Sequence, residues 1–291
     1  MRAFVFPGQG SQFVGMGEDL YRSGSMARQL FEQANDQLGF SITEIMFKGT
    51  DDDLKQTRVT QPAIFLHAVI AFKNTEKKII PQAVAGHSLG EFSALVASQV
   101  LSFTDALVLV QARANAMQAA CKSTSGVMAA VVGLEDSIVE KICLEVGDLV
   151  PANYNCPGQL VVSGSSESLE KALPLLEQSG ARKVIPLQVG GAFHSPFMLS
   201  AQNELKRAID QVNFKPPVCP VYQNVSARGE SDPNKIKENL IAQLTSPVKW
   251  AQSIKQMIQD GISEFIEFGG SGKVLQGMIK RIDREVRTAS L

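Results

Sequence analysis

A serine between two glycines, at the junction of a predicted strand and a predicted helix, restricts the fold of this chain more than any other feature. The residues Gly86-His87-Ser88-Leu89-Gly90 fit the pattern G-x-S-x-G, with a short apolar run at 82–85 before them and a helical pattern from about Leu89. Glycines flank the serine because so sharp a turn leaves no room for side chains. The pattern predicts a nucleophile elbow, with free backbone N–H groups beneath the Ser88 hydroxyl. The alternative is a glycine-rich turn whose serine has no chemical role.

Short β-rich runs alternate with helical patterns in the first half of the chain, which predicts the α/β class. We predict a first strand at Arg2–Phe6 and a helix capped by Thr104. The segment 126–189 has the order β-α-β-β-α-β, which is typical of the split ferredoxin-like unit. Its strands are predicted at 127–132, 149–154, 159–163 and 182–187, its helices at 136–146 and 166–178, and a turn at 155–158. We therefore predict a small subdomain over 126–189, inserted into a larger one over 1–125 and 190–291.

Charge and cysteine content exclude several classes of protein. The 291 residues contain 28 Lys and Arg against 29 Asp and Glu, so no overall basic field points to nucleic acid or to an anionic membrane. The N-terminal apolar run is too short for a signal peptide, and no uncharged run reaches membrane-spanning length, so we expect a cytoplasmic protein. The cysteines are far apart and lack metal-site spacing, so we expect reduced thiols: Cys121, Cys143, Cys156 and Cys219.

A serine nucleophile needs a proton acceptor, usually histidine, and this chain has three. His87 adjoins the serine, where neighbouring side chains point apart, so a local structural hydrogen bond is the better interpretation. His67 lies in an apolar, helix-like stretch typical of a core histidine. His194 follows two glycines in a loop, so we predict that His194 is the base. No Asp or Glu after the serine stands in a comparable context, and a backbone or amide oxygen is the alternative for orienting the imidazole.

Arg113 is the only charged residue between positions 106 and 121, a stretch with a helical pattern. Its neighbours three, four and seven positions away are all apolar, so we place it on a buried face. A guanidinium keeps its charge, so burial requires an anion or several carbonyl groups beside it. One interpretation is an internal salt bridge to an Asp or Glu. The other is a substrate carboxylate held bidentately, which a malonyl group offers and an acetyl group does not.

Four segments together resemble the malonyl-CoA:acyl carrier protein transacylases, and the similarity covers essentially the whole chain. They are Phe6-Pro7-Gly8-Gln9-Gly10-Ser11-Gln12, the elbow from Gly86 to Glu91, Gln111-Ala112-Arg113-Ala114-Asn115-Ala116-Met117-Gln118, and Gly191-Ala192-Phe193-His194. Their order and spacing argue against a chance match. The resemblance implies an α/β-hydrolase-like large subdomain with a mainly parallel sheet, plus an inserted ferredoxin-like small subdomain.

The resemblance also implies a role for individual residues. Ser88 would be acylated, His194 would act first as base and then as acid, and Arg113 would pair with the malonyl carboxylate. The oxyanion hole would be formed by the backbone N–H groups of Gln9 and Leu89.

Two further positions follow from the family pattern. In this family a main-chain carbonyl orients the catalytic histidine. The matching segment here is 243–250, and Gln243 is the residue that would supply the carbonyl. This would explain why no Asp or Glu stands out as the group that orients His194. Phe193 looks like the malonyl-type variant of related polyketide acyltransferases, in which a bulky ring is associated with excluding a methyl branch. Some bacterial transacylases have a small polar residue there.

The implied activity is that of an acyltransferase of fatty acid biosynthesis, which moves malonyl from malonyl-CoA to the phosphopantetheine thiol of acyl carrier protein through a malonyl-serine. Coenzyme A enters only as the substrate thioester, so we expect no cofactor and no metal. We also expect no nucleic-acid or membrane partner, and a monomer. A discrete polyketide-type acyltransferase is one alternative, and it would differ in its carrier. A serine hydrolase is the other, and it would have no need of a buried arginine.

Overall fold

The structure, a computed structural model, describes residues 1–75 and 80–291. None of the helices in these ranges is both long enough and apolar enough to cross a membrane. In chain order the elements are β1 (Arg2–Phe6), α1 (Glu18–Ser23), α2 (Ser25–Leu38), α3 (Ile42–Lys48), α4 (Asp51–Lys55), α5 (Thr57–Lys73), β2 (Ala83–Gly86), α6 (Gly90–Ala97), α7 (Phe103–Ser123), β3 (Gly126–Val132), α8 (Asp136–Val146), β4 (Leu149–Cys156), β5 (Gln159–Ser165), α9 (Ser166–Gln178), β6 (Lys183–Pro186), α10 (Leu199–Asp210), β7 (Val221–Tyr222), β8 (Gly229–Glu230), α11 (Pro233–Ala242), α12 (Trp250–Gln259), β9 (Glu264–Glu267), α13 (Val274–Ile282) and β10 (Arg287–Ser290). Short 3-10 turns cover Pro196–Met198 and Gln243–Thr245. The predicted α/β class is confirmed.

The larger sheet has the strand order β10-β9-β1-β2-β7-β8, in which every pair is parallel except β7 with β8. Strands β1 and β2 are apolar and buried, as expected of parallel strands covered on both faces. Phe4 and Phe6 pack into the core shared with α5, α6 and α7, whereas Ala3 and Val5 pack on the opposite face with α12 and α13. The carboxyl ends of β1, β2 and β7 therefore lie side by side, and their following loops converge.

The smaller sheet is antiparallel, with the strand order β4-β5-β3-β6. Helices α8 and α9 cover one face, where Ala129 and Val131 contribute to the core beneath them. The alternating residues Met128 and Ala130 belong instead to the core that contains α5 and α7. The predicted β-α-β-β-α-β order is confirmed, and both helices begin and end at the predicted residues.

Two local predictions are wrong. Strand β4 continues to Cys156, so a two-residue turn, Pro157-Gly158, replaces the predicted turn at 155–158. Gly158 has a φ of 69°, which the second central residue of a Pro-Gly turn requires and glycine supplies without strain. The cap of α7 is Ser102, whose hydroxyl accepts a first-turn backbone N–H at 3.0 Å, whereas Thr104 lies inside the helix.

The two sheets meet beside the carboxyl end of the larger one. Val248 pairs with β4, because its N–H donates to the Ala152 carbonyl at 2.8 Å and its carbonyl accepts the Tyr154 N–H at 2.9 Å. A second contact joins Gly126, at the start of β3, to Ala192, and a side chain at position 126 would come within 2.6 Å of Ala192. The segment that follows β6 therefore lies against the start of β3.

Candidate active site

Ser88 occupies the turn between β2, which ends at Gly86, and α6, which begins at Gly90. Its backbone is left-handed, with a φ of 52°, a conformation that L-residues rarely adopt. A side chain at Gly86 would overlap the backbone of Gly90, and one at Gly90 would overlap the carbonyl oxygen of Phe6. The packing of the turn therefore requires both glycines, and the geometry is that of a nucleophile elbow.

His194 lies beside Ser88, although 106 residues separate them. Its Nε2 is 2.8 Å from Ser88 Oγ, and its Nδ1 is 2.9 Å from the carbonyl oxygen of Gln243. A carbonyl can only accept, so Nδ1 carries the proton and Nε2 is free to accept the Ser88 hydroxyl. Burial and then the charge of Arg113 lower the pKa of His194 to about 3, so the imidazole is neutral at pH 7.

The other two histidines have different partners. The Nε2 of His87 is 2.8 Å from Asn155 Oδ1, and its ring packs against Trp250. His67, on α5, accepts the backbone N–H of Gly270 through Nδ1 at 3.0 Å. Of the three histidines, His194 is the one within hydrogen-bonding distance of Ser88.

Arg113, on α7, is only 1% exposed and points at the nucleophile. Its Nη2 donates to Ser88 Oγ at 3.0 Å and to Gln243 Oε1 at 3.2 Å, and its Nη1 donates to Gln61 Oε1 at 2.7 Å. No Asp or Glu among residues 1–75 and 80–291 forms a salt bridge with it, so the structure does not contain the internal ion pair considered above. Burial lowers the pKa of Arg113 to about 10, which leaves the guanidinium charged at pH 7.

Gln243 connects the three residues just described. Its main-chain carbonyl accepts from His194, its side-chain Nε2 donates to the Ser88 carbonyl oxygen at 2.9 Å, and its Oε1 accepts from Arg113. The residue is fully buried at the start of the 3-10 turn Gln243–Thr245. The sequence pattern pointed to its main-chain carbonyl; the two side-chain contacts were not predicted.

Two backbone donors flank the nucleophile. Within the described ranges, neither the Gln9 N–H nor the Leu89 N–H has a hydrogen-bond partner. Leu89 precedes the first residue of α6, where the helix dipole favours negative charge. The loop that carries Gln9 approaches closely because residue 8 is a glycine, since a side chain on Gly8 would overlap the carbonyl oxygen of His87. The two N–H groups are thus available to an anionic oxygen bound next to Ser88.

Asn224 is a site residue that the sequence reasoning missed. Its Oδ1 accepts the Ser88 N–H at 2.7 Å and its Nδ2 donates to the Gly86 carbonyl at 2.7 Å, so one fully buried amide bridges the elbow. Asn224 comes two residues after β7, the strand next to β2. Its position at a strand end was a possible signal, but the sequence alone did not reveal that β7 adjoins β2.

Glu91, in the first turn of α6, is a second such residue. It is 1% exposed, and one carboxyl oxygen accepts the backbone N–H of Asn224 while the other has no partner in the described part of the chain. Burial raises the pKa of Glu91 to about 8, which disfavours a negative charge on this carboxyl group. It therefore supports the elbow through Asn224 and forms no salt bridge with Arg113.

Ser88, His194 and Arg113 line a cavity of about 370 Å³ between the two sheets. Gln9 and Leu89 also line it. Much of the remaining wall is apolar and comes from α7, the smaller sheet and the segment after β6: Met117, Met128, Val161, Leu187, Val189 and Phe193. Among residues 1–75 and 80–291, no cluster of three or more His, Cys, Asp or Glu could hold a metal ion. All seven site residues predicted from sequence therefore meet in and around one cavity.

Comparisons with known proteins agree with this arrangement. Residues 3–291 match the family model of the acyl transferase domain. The malonyl CoA-acyl carrier protein transacylase of Bacillus subtilis (strain 168) is 42% identical over 294 residues, covering 99% of this chain and 92% of that protein.

Solved structures give the same result. An acyl-carrier-protein S-malonyltransferase from Burkholderia pseudomallei 1710b superposes with a TM-score of 0.95 at 38% identity, covering 99% of this chain and 95% of that one. A malonyl-transacylase in complex with a type II PKS acyl-carrier protein superposes with a TM-score of 0.94 at 34% identity, covering 100% of this chain and 95% of that one. The chain therefore belongs to the acyl transferase domain family.

Proposed function

We propose that this protein is a malonyl-CoA:acyl carrier protein transacylase of fatty acid biosynthesis. The observation that carries the proposal is the buried Arg113, which contacts the hydroxyl of Ser88 and has no salt-bridge partner in the described chain. A buried cation without a counter-ion is costly, and an anionic ligand removes that cost. The acyl group that enters this site should therefore bring a carboxylate.

The length of the malonyl group fits this geometry. Its carboxylate is one methylene away from the thioester carbon, and Arg113 Nη2 lies 3.0 Å from Ser88 Oγ, the atom that would attack that carbon. A guanidinium can hold a carboxylate through two parallel hydrogen bonds, which an acetyl group cannot accept. Each hydrogen bond to a charged group contributes about 1.5 to 3 kcal/mol, so two of them favour malonyl over acetyl by at least about 100-fold.

In the first half-reaction, Ser88 Oγ attacks the thioester carbon of malonyl-CoA while its proton passes to His194 Nε2. The negative charge on the carbonyl oxygen is stabilised by the N–H groups of Gln9 and Leu89. Collapse of this intermediate breaks the carbon–sulfur bond, and the His194 imidazolium returns the proton to the departing coenzyme A thiolate. The products are free coenzyme A and a malonyl-Ser88 ester.

The second half-reaction reverses these steps with a different thiol. The phosphopantetheine thiol of acyl carrier protein gives its proton to His194 and attacks the ester carbon, and the Ser88 alkoxide then leaves and takes the proton back from the imidazolium. Malonyl-carrier is released and the free serine is restored. Every proton and electron pair is handled by side chains and backbone groups of this chain, so the proposed reaction uses no metal and no cofactor.

Substrate binding would also adjust the base. The charge of Arg113 is one of the causes that lower the pKa of His194, second to burial. A malonyl carboxylate on Arg113 would offset that charge and raise the pKa of His194 towards neutrality, where an imidazole transfers protons most efficiently.

Phe193 would limit the width of the acyl group. Its ring is 5% exposed and lines the cavity directly before His194 in the chain. A methyl branch on the malonyl group would need space that a phenyl ring already fills. Phe193 therefore supports a preference for malonyl over methylmalonyl.

The finer architecture belongs to the same proposal. The strand order β4-β5-β3-β6 with two helices on one face supports a ferredoxin-like small subdomain over 126–189. The elbow between β2 and α6 supports an α/β-hydrolase-like large subdomain over 1–125 and 190–291. We also propose that the protein is cytoplasmic, with its four free cysteines as the supporting observation, and that it is a monomer.

The test is to incubate the protein with malonyl-CoA or acetyl-CoA and to map the adduct by intact mass and peptide mass spectrometry. A malonyl-sized adduct on Ser88 is expected, absent in Ser88→Ala. The preference over acetyl should fall by about 100-fold or more in Arg113→Ala. Transfer to holo acyl carrier protein should then regenerate the free enzyme. Absence of an adduct together with rapid hydrolysis of neutral esters would instead identify a serine hydrolase.

A further inference from the structure

We propose that Gln61 is a specificity-determining positioning residue, which anchors Arg113 through a neutral amide and so leaves the guanidinium charge for the carboxylate of the acyl group. This inference rests on the proposed function, because it concerns how the same site selects malonyl. Neither the sequence motifs nor the family resemblance singled out Gln61.

Gln61 is completely buried on α5. Its Oε1 accepts from Arg113 Nη1 at 2.7 Å, and its Nε2 is 3.2 Å from the sulfur of Met117. The orientation of the amide is fixed by chemistry, since every nitrogen of a guanidinium is a donor and only the amide oxygen can face it. One end of the amide holds the arginine and the other end touches the wall of the cavity.

All the hydrogen-bond acceptors that contact Arg113 within residues 1–75 and 80–291 are neutral. Besides Gln61, they are the amide oxygen of Gln243 and the hydroxyl of Ser88. Glu91 is the carboxyl group that couples electrostatically to Arg113, but the two form no salt bridge. Burial also raises the pKa of Glu91, which disfavours a negative charge on that carboxyl group.

The guanidinium therefore has anchors without a counter-ion. Its Nε has no hydrogen-bond partner in the described residues. Arg113 can therefore offer a ligand both an unused N–H donor and an uncompensated charge. A ligand carboxylate relieves the desolvated charge, whereas a neutral acyl group leaves it uncompensated. If a carboxylate replaced the amide of Gln61, the protein itself would compensate the charge of Arg113. The preference for malonyl over acetyl would then shrink.

The decisive variant is Gln61→Glu, which keeps the shape of the side chain and the acceptor facing Arg113 but adds a negative charge. We expect the ratio of the Ser88 acylation rates with malonyl-CoA and acetyl-CoA to fall about 10- to 100-fold, because an internal carboxylate would already compensate the guanidinium charge. The advantage of malonyl would then shrink by about the contribution of one hydrogen bond to a charged group. Acylation by acetyl-CoA should be unchanged or faster. The rates are measured by quench-flow and intact mass.

Two further variants separate charge from position. Gln56→Glu adds the same charge at the exposed start of the same helix, outside the cavity lining, and should leave the ratio unchanged. Gln61→Met removes the acceptor but adds no charge. It should raise the KM for malonyl-CoA severalfold, because Arg113 loses an anchor, while most of the preference over acetyl remains.

Circular dichroism and thermal melting establish that each variant is folded. Equal selectivity in Gln61→Glu and the parent protein overturns the proposal, and so does an equal loss in Gln61→Met and Gln61→Glu. If Gln61→Glu does not fold, Gln61→Met tests the proposal. An unchanged KM for malonyl-CoA in that variant would then overturn it. The parent protein is measured first: if it forms no malonyl adduct, the proposed function fails, whatever the variants do.

Discussion

Replacing Asn224 by alanine is expected both to destabilise the protein and to slow the acylation of Ser88. The amide of Asn224 pairs two backbone groups of the elbow, the Ser88 N–H and the Gly86 carbonyl, each at 2.7 Å. Alanine removes the partner of both groups, of which the Gly86 carbonyl is buried and the Ser88 N–H is partly buried. It also leaves a small cavity at a position that is now fully enclosed.

The size of the effect follows from these two contacts. A buried polar group that loses its partner costs about 1 to 3 kcal/mol, so the two together should lower the free energy of unfolding by about 2 to 6 kcal/mol. The left-handed backbone of Ser88 is itself strained, and Asn224 is one of the contacts that hold it. Small displacements of a nucleophile can slow its reaction by about 100-fold, and we expect a loss of that order.

Urea denaturation gives the free energy of unfolding, and quench-flow with malonyl-CoA gives the acylation rate. Asn239→Ala is the matched control, because Asn239 is also buried and its Nδ2 donates to Gln223 at 3.0 Å, in a contact that does not involve Ser88. It should lower stability by about 1 to 3 kcal/mol with no change in acylation rate.

The reasoning is refuted if Asn224→Ala unfolds within about 0.5 kcal/mol of the parent protein and is acylated at the same rate. Water would then satisfy both backbone groups, and the elbow would keep its conformation without the amide. A loss of stability with unchanged acylation would assign Asn224 a purely structural role.

Two other perturbations test the charge and the approach of the Gln9 loop. Arg113→Gln removes a cation that lowers the pKa of His194, so that pKa should rise towards its ordinary value of 6.5. The acidic limb of the pH profile of kcat/KM for acetyl-CoA should then move to higher pH, and an unmoved limb contradicts this. In Gly8→Ala, the added methyl group would overlap the His87 carbonyl and displace the Gln9 N–H, so acylation should slow by about 100- to 1,000-fold. Gly24→Ala, at an extended backbone position with open space around it, is the control for Gly8 and should be acylated at the parent rate.

Local chemistry made part of this structure predictable from sequence. The elbow was readable because its glycines are required by the turn itself, and His194 because only three histidines existed to choose from. Helices α8 and α9 were placed correctly because each lies between strands and has a clear amphipathic pattern. In each case, the residues that fix the feature are close together in the chain or belong to a rare type.

The rest depended on contacts that leave little trace in sequence. A main-chain carbonyl orients His194, and any residue could supply one, so the residues around Gln243 point to it only through the family pattern. Asn224 and Gln61 are neutral amides that act across 136 and 52 residues, respectively. Their roles follow from the neighbours that β7 and α5 have in space, which local patterns do not determine.

The cavity has two walls of separate origin. One wall is formed by the segments that follow β1, β2 and β7, which carry the nucleophile, the two oxyanion donors and Asn224. The other wall includes Met128 and Val161, which belong to the smaller antiparallel sheet. Exchanging side chains at those two positions would change the room for the acyl group without touching a hydrogen bond to Ser88. Mutations in the wall formed by the smaller sheet can therefore change which acyl group fits, while the reacting residues in the other wall stay intact.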